Sequence, residues 1–198
     1  MVQSIDQQIR KPKTYSLHEY LLREERTLHK HEFHNGQIIK MPGSSIKHNT
    51  IAANVTIQIG MLLEQNATEN FTIINSDQKI YIALVDKVLY PDVLVVFEAP
   101  ERWENREDLL VNPLLIVEVW SKSTGNYDRN DKFMYYRMLP SFKEYVLIQQ
   151  NSPKIEAFYK TTDTTWDIMT ETDLTKSIAL RSLGISVALQ KIYKGIEF

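Results

Sequence analysis

The sequence predicts a mixed α/β fold in which helices cover a central sheet, and three observations carry that reading. Two runs, VLYPDVLVVF at 88–97 and LLIVEVWS at 114–121, are strongly apolar around a single carboxylate each and read as strands buried on both faces. Between Ser45 and Glu64, the residues Ile51, Val55, Ile59 and Leu62/Leu63 recur on one face of a helix. The later patterns then run strand, strand, strand, helix, strand, an order that interleaves the two element types.

Residues 1–14 are polar, contain Pro12, and are expected to form a flexible arm ahead of a single domain at 15–198. Ser16 and Glu19 have capping-box spacing in front of Leu17, Tyr20 and Leu21, which predicts a helix. KHEFHNGQIIKMPG, 30–43, reads as a hairpin whose Asn35-Gly36 pair supplies the positive φ angles of a tight turn. FTIINSDQKIYIAL, 71–84, is a strand broken near Ser76-Asp77, and the acidic stretch 98–113 is an exposed loop or short helix. DRNDKFMYYRML, 128–139, is a helix with Asp128 as its cap and Pro140 after its end. FKEYVLI is a strand, KIEAFYK and TWDIMT form a hairpin, and the tail ends in a short strand and helix.

The 198 residues suffice for one domain with a sizeable core, and 43% hydrophobic with 24% charged content is ordinary for a globular protein. A formal net charge of −2 gives no overall nucleic-acid signature and leaves room only for a local basic cleft. The absence of cysteine excludes disulfides, Cys-ligated zinc and thiol chemistry. The opening MVQSIDQQIRKPKTYS lacks a signal-peptide core, and no apolar stretch is long enough to span a bilayer. The expectation is a soluble, cytoplasmic protein.

Asp92 and Glu118 are single carboxylates on the two most apolar strands, and bare buried carboxylates are costly. If the strands are neighbours, the two acids converge at one end of the sheet, where their repulsion calls for a cation. A hard ion such as Mg²⁺ suits one or two carboxylates, with waters and a substrate phosphate completing its shell. Strand alternation places Glu118, Trp120 and Lys122 on one face, and Lys132 lies one helical turn after Asp128. Either lysine could direct an ammonium at the acids.

The segments HEFHNGQIIKMPG, YPDVLVV, LLIVEVWSKSTGNYDRNDKFMYYRM and SFKEYVLI, in that order, resemble the bacterial Uma-type endonuclease family of the PD-(D/E)XK superfamily. The likeness covers residues 16–195. It implies a restriction-endonuclease-like mixed sheet flanked by helices, with an extra N-terminal hairpin and a C-terminal β-hairpin. It also implies that Asp92 and Glu118 hold Mg²⁺ or Mn²⁺ and that a lysine helps to activate the attacking water. The superfamily's usual lysine position, two residues after the glutamate, is Trp120 here, and the resemblance transfers the role to Lys132. The implied activity is metal-dependent hydrolysis of DNA, with RNA as the other substrate, by a homodimer that cuts both strands. Two alternatives are a catalytically inactive nucleic-acid-binding or protein-interaction module on the same fold, and hydrolysis of a non-nucleic phosphoester. Trp120 and the lack of net positive charge favour the inactive module.

Glu32, His48 and Lys122 are auxiliary candidates for lining the cleft. Asp77 is either a third acid or a turn residue. His29, His31 and His34 invite a metal-site reading, although on a strand only the first two share a face. Tyr127, Tyr135 and Tyr136 are candidates for stacking on a base, against the plainer expectation that Tyr135 or Tyr136 belongs to the core.

Overall fold

The computed structural model describes residues 13–67, 70–121 and 125–198. The expected N-terminal arm, apart from Lys13 and Thr14, and the candidate Lys122 lie outside them.

The first helix, α1 (Leu17–Glu24), starts at the predicted capping box. Ser16 Oγ accepts the Glu19 N–H at 3.2 Å, and Glu19 accepts the Ser16 N–H at 2.7 Å. Strands β1 (His31–His34) and β2 (Gln37–Lys40) form the predicted hairpin, with Asn35 at φ 46° and Gly36 at φ 88°. Helix α2 (Ile46–Gln65) follows, capped by Ser45 and burying Ile51, Val55, Ile59 and Leu63.

The main sheet has six strands. They are β3 (Phe71–Asn75), β6 (Val93–Phe97), β8 (Leu115–Trp120), β9 (Glu144–Gln149), β10 (Ile155–Lys160) and β11 (Trp166–Glu171). Their order is β11-β10-β9-β8-β6-β3, antiparallel except for the β8–β9 pair. Alternation sorts their side chains into two cores. Val93, Val95, Val117 and Val119 pack under α2. Leu94, Val96, Ile116 and Tyr145 pack on the opposite face with Tyr136 and Phe142.

A second sheet joins β1 and β2 to β4 (Lys79–Ile82), β5 (Lys87–Leu89) and β7 (Leu109–Leu110), in the order β2-β1-β5-β4-β7. Three expectations change here. The run 88–97 is two strands in two sheets, because Pro91 has no N–H for a ladder and Asp92 follows it outside either strand. The predicted break at Ser76-Asp77 is present, but its halves, β3 and β4, also lie in different sheets. The acidic stretch 98–113 has no buried residue over 98–108 and holds a short 3₁₀ helix at Trp103–Asn105, as expected, but its end contributes the buried strand β7. The tail forms a hairpin of β12 (Ser177–Leu180) and β13 (Ile185–Ala188) before α4 (Leu189–Ile192), one strand more than expected. Among the described residues no helix is long and apolar enough to cross a membrane.

The position of α2 rests on its buried stripe. Ile51→Ala, at a fully buried site one turn from His48, is expected to cost about 2–5 kcal/mol. Urea denaturation measures this; an unchanged midpoint contradicts the packing.

Candidate active site

Strands β6 and β8 are antiparallel neighbours with Val93 opposite Val117. One step further along that register, Asp92 stands opposite Glu118. The expected convergence is therefore present, but neither acid is bare. Asp92 Oδ2 accepts the Val119 N–H at 2.7 Å and lies 3.1 Å from His48 Nε2. His48 comes from the first turn of α2, where Ser45 Oγ accepts its N–H. Burial disfavours the charged imidazole, but the Asp92 carboxylate outweighs it and leaves the His48 pKa raised.

Glu118 Oε1 accepts hydrogen bonds from Lys132 Nζ at 3.1 Å and from the Tyr136 hydroxyl at 2.9 Å. The Lys132 ammonium is itself buried, with Asp128 Oδ1 at 3.4 Å and Glu32 Oε1 at 3.6 Å. Burial works against that charge, yet the surrounding carboxylates prevail and push its pKa well above the ordinary lysine value. Lys132 therefore stays cationic at neutral pH. Burial, reinforced by Asp92 and Asp128, raises the proton affinity of Glu118 against the pull of Lys132. The cluster holds more carboxylate than its one ammonium offsets.

Local winding brings Lys132 inward. Tyr127–Lys132 forms a π-helical turn that runs into α3 (Phe133–Tyr136). Asp128 does not cap this helix as expected; it is buried inside the turn and faces Lys132 four residues on. A regular helix counted from a cap at 128 would not describe this winding.

Glu32, on β1, completes the cage. Its Oε2 accepts the Tyr127 hydroxyl at 2.9 Å and lies 2.9 Å from His34 Nε2. Lys87 Nζ is 3.1 Å from His34 Nδ1. An ammonium can only donate, so Nδ1 accepts and Nε2–H is the donor to Glu32. Burial opposes ionisation of Glu32, but its bonds to His34 and Tyr127 and the Lys132 charge leave its pKa lowered. Among the described residues its buried Oε1 finds no hydrogen bond and has the longer ion pair to Lys132.

Asp92, Glu118, Lys132, Glu32 and His48 thus line one cleft of about 690 Å³. Of the other candidates His34, Tyr127 and Tyr135 also line this cleft, whereas Asp77, His29, His31 and Tyr136 do not. Asp77 is exposed and pairs with Lys30 at 2.7 Å. The three histidines are dispersed: His29 is exposed, His31 lies 3.0 Å from Glu24, and His34 serves Glu32. Tyr136 is core, and Tyr135 lies under the Lys87 ammonium. The sequence reading missed Lys87 as a partner of the site and gave His34 and Tyr127 other roles, while Asp128 pairs with Lys132 as a spacing of four residues allows. Glu32 and His34 share a strand face, which was a readable signal. Lys87 enters only through the β1–β5 register, which sets it opposite His34.

Asp92 and Glu118 offer the hard oxygen donors that a divalent cation takes, and Glu32 adds a buried carboxylate oxygen without a hydrogen bond. Among the described residues no three His, Asp or Glu side chains are already gathered in metal-coordinating geometry. The protein's share of a shell would be the one or two carboxylates that suffice for Mg²⁺.

The fold is that of restriction-endonuclease-like proteins. The chain shares it with a structure described as a "putative nuclease belonging to DUF820" from Anabaena variabilis, at a TM-score of 0.68 and 15% identity, over 90% of this chain and 97% of that one. Residues 17–190 match the Uma2 family model, described as "Putative restriction endonuclease", and the chain belongs to that family. Two Synechocystis proteins are also similar. Uncharacterized protein sll1609 is 37% identical over 77% of this chain and 84% of its own length. Uncharacterized protein slr1290 is 35% identical over 91% of this chain and 92% of its own.

Lys132→Met keeps the aliphatic stem and removes the charge, leaving Glu118, Asp128 and Glu32 facing one another. The expected loss of stability near neutral pH is about 3–5 kcal/mol. Glu118, whose pKa burial already raises, loses the lysine that opposes that rise, so stability is regained as it protonates and the deficit shrinks on acidification. Denaturant melts across pH check this; a deficit that grows on acidification contradicts the assignment.

Proposed function

We propose that the protein is a metal-dependent nuclease that hydrolyses DNA phosphodiester bonds, with Asp92 and Glu118 as ligands of Mg²⁺ or Mn²⁺. The observation that carries this reading is the pairing of two register-opposed carboxylates with a buried ammonium 3.1 Å from one of them. When bound, the metal would supply Lewis-acid charge and a more acidic water.

The chain's own groups have distinct tasks. The Val119 N–H and His48 fix one Asp92 oxygen, so that carboxylate is oriented before any substrate arrives. Lys132 and Tyr136 do the same for Glu118 Oε1. Because Lys132 remains an ammonium, it is suited to orient water and to stabilise negative charge developing on the phosphate, and unsuited to act as a base. Glu32, held by His34 and Tyr127, is a second carboxylate that keeps the ammonium in place.

DNA is the proposed substrate and RNA the second polymer with the same bond. One domain over 15–198 would carry the site, a two-fold pair of chains would cut both strands, and the cytoplasm would be its compartment. Trp120, at the superfamily's usual lysine position, favours the other reading, an inactive nucleic-acid-binding or protein-interaction module. Lys132 Nζ, which reaches Glu118 from the π turn that follows β8, supports the nuclease reading.

Nicking of supercoiled plasmid in Mg²⁺, Mn²⁺ or EDTA tests the proposal. Cleavage is expected with either ion and not in EDTA, and Asp92→Asn and Glu118→Gln should each lower it by at least about 10²-fold while remaining folded. Wild-type cleavage by a folded Glu118→Gln protein would remove Glu118 from the site. DNA binding without cleavage in any metal would favour the inactive module.

A further inference from the structure

A second cleft, of about 700 Å³, opens on the other side of the Met41–Ser44 loop and meets the first at His48 and Asp92. One wall is the face of α2 that carries Asn49, Ala53, Thr56 and Ile57. From His48 to Ile57 this wall runs about 14 Å at the helical rise of about 1.5 Å per residue. That is room for about four nucleotides at a stacked spacing of about 3.4 Å along one strand.

Charge separates the two clefts. The first is lined by Glu32, Asp92, Glu118, Asp128 and Asp131, against Lys40 and Lys132. Among the described residues lining the second, Asp92 is the one carboxylate, at its inner end, and Lys30, His29 and His48 also face it. Asp77 pairs with Lys30 but does not line the groove. Ile57 and Leu28 expose aliphatic surface to it, 56% and 101% accessible, on which base faces can rest. A polyanion held at Asp92 and Glu118 by a cation meets repulsion along the first cleft and little along the second.

We propose that the groove along α2 binds the nucleic-acid strand that continues from the scissile phosphate, as a single strand lying against Asn49, Ala53 and Ile57. The proposal rests on the nuclease reading for its substrate class and adds the direction in which that substrate leaves the site.

Ala53 and Ile57 are exposed and outside the site machinery, so charges placed there leave the core intact. The probe is a short fluorescent single-stranded oligodeoxynucleotide, measured by anisotropy in EDTA and in Ca²⁺. The double variant Ala53→Glu/Ile57→Glu is expected to bind about tenfold more weakly than wild type, and Ala53→Lys more tightly. Thr170→Glu, on the exposed strand β11, should leave binding unchanged. Hydrolysis of bis(p-nitrophenyl) phosphate, which has no flanking nucleotides, should be the same in wild type and double variant. Wild type that binds in neither condition, or a double variant that binds within twofold of wild type, overturns the groove. A groove that responds as expected in a protein that hydrolyses neither plasmid nor small diester would instead reject the nuclease reading and leave a strand-binding surface.

Discussion

One buried ammonium organises this molecule. Lys132 Nζ is surrounded by carboxylates from three separated parts of the chain: Glu32 on β1, Glu118 on β8 and Asp128 in the π turn. Buried charge is tolerated only with partners in place, so the position of each of these elements is tied to the others. The constraint extends outward, since Glu32 is held by His34 and Tyr127, and His34 by Lys87 on β5. The two sheets therefore meet at the site through polar contacts, and beyond it through a shared apolar core in which Ile80, Ile82 and Leu89 pack with Leu94, Val96 and Ile116.

Much of the fold was legible because its signals are local. The Asn35-Gly36 turn, the Ser16–Glu19 capping box and the apolar stripe of α2 depend on residues within a turn of one another. So does the apolar character of β6 and β8, whose side chains reach both cores. The failures are of the opposite kind. Nothing in VLYPDVLVVF shows that Val88 and Val93 join different sheets; that follows from where β1 and β8 lie. A π turn has the composition of a helix, so Asp128 read as a cap when it is an internal partner of Lys132. Glu32 was legible as a candidate, but its contact with Lys132 joins positions a hundred residues apart, which no periodicity records.

The departure at Trp120 has a local structural counterpart. Its indole packs so closely against Gly125 that a Cβ at that position would collide with the ring. The strand position where the superfamily carries a lysine is therefore filled by an aromatic that supports the start of the next helix. The ammonium reaches Glu118 from that helix instead. Asp92, placed between the two ladders after Pro91, takes the Val119 N–H and His48.

In the proposed mechanism Asp92 and Glu118 bind a cation beside a lysine that stays in place. Anomalous diffraction from crystals soaked in Mn²⁺ tests it most directly. An anomalous peak is expected within coordination distance of both carboxylates, with the Lys132 ammonium still on Glu118. A peak at the ammonium's position, a peak that omits Asp92 or Glu118, or no peak in the cleft would contradict it.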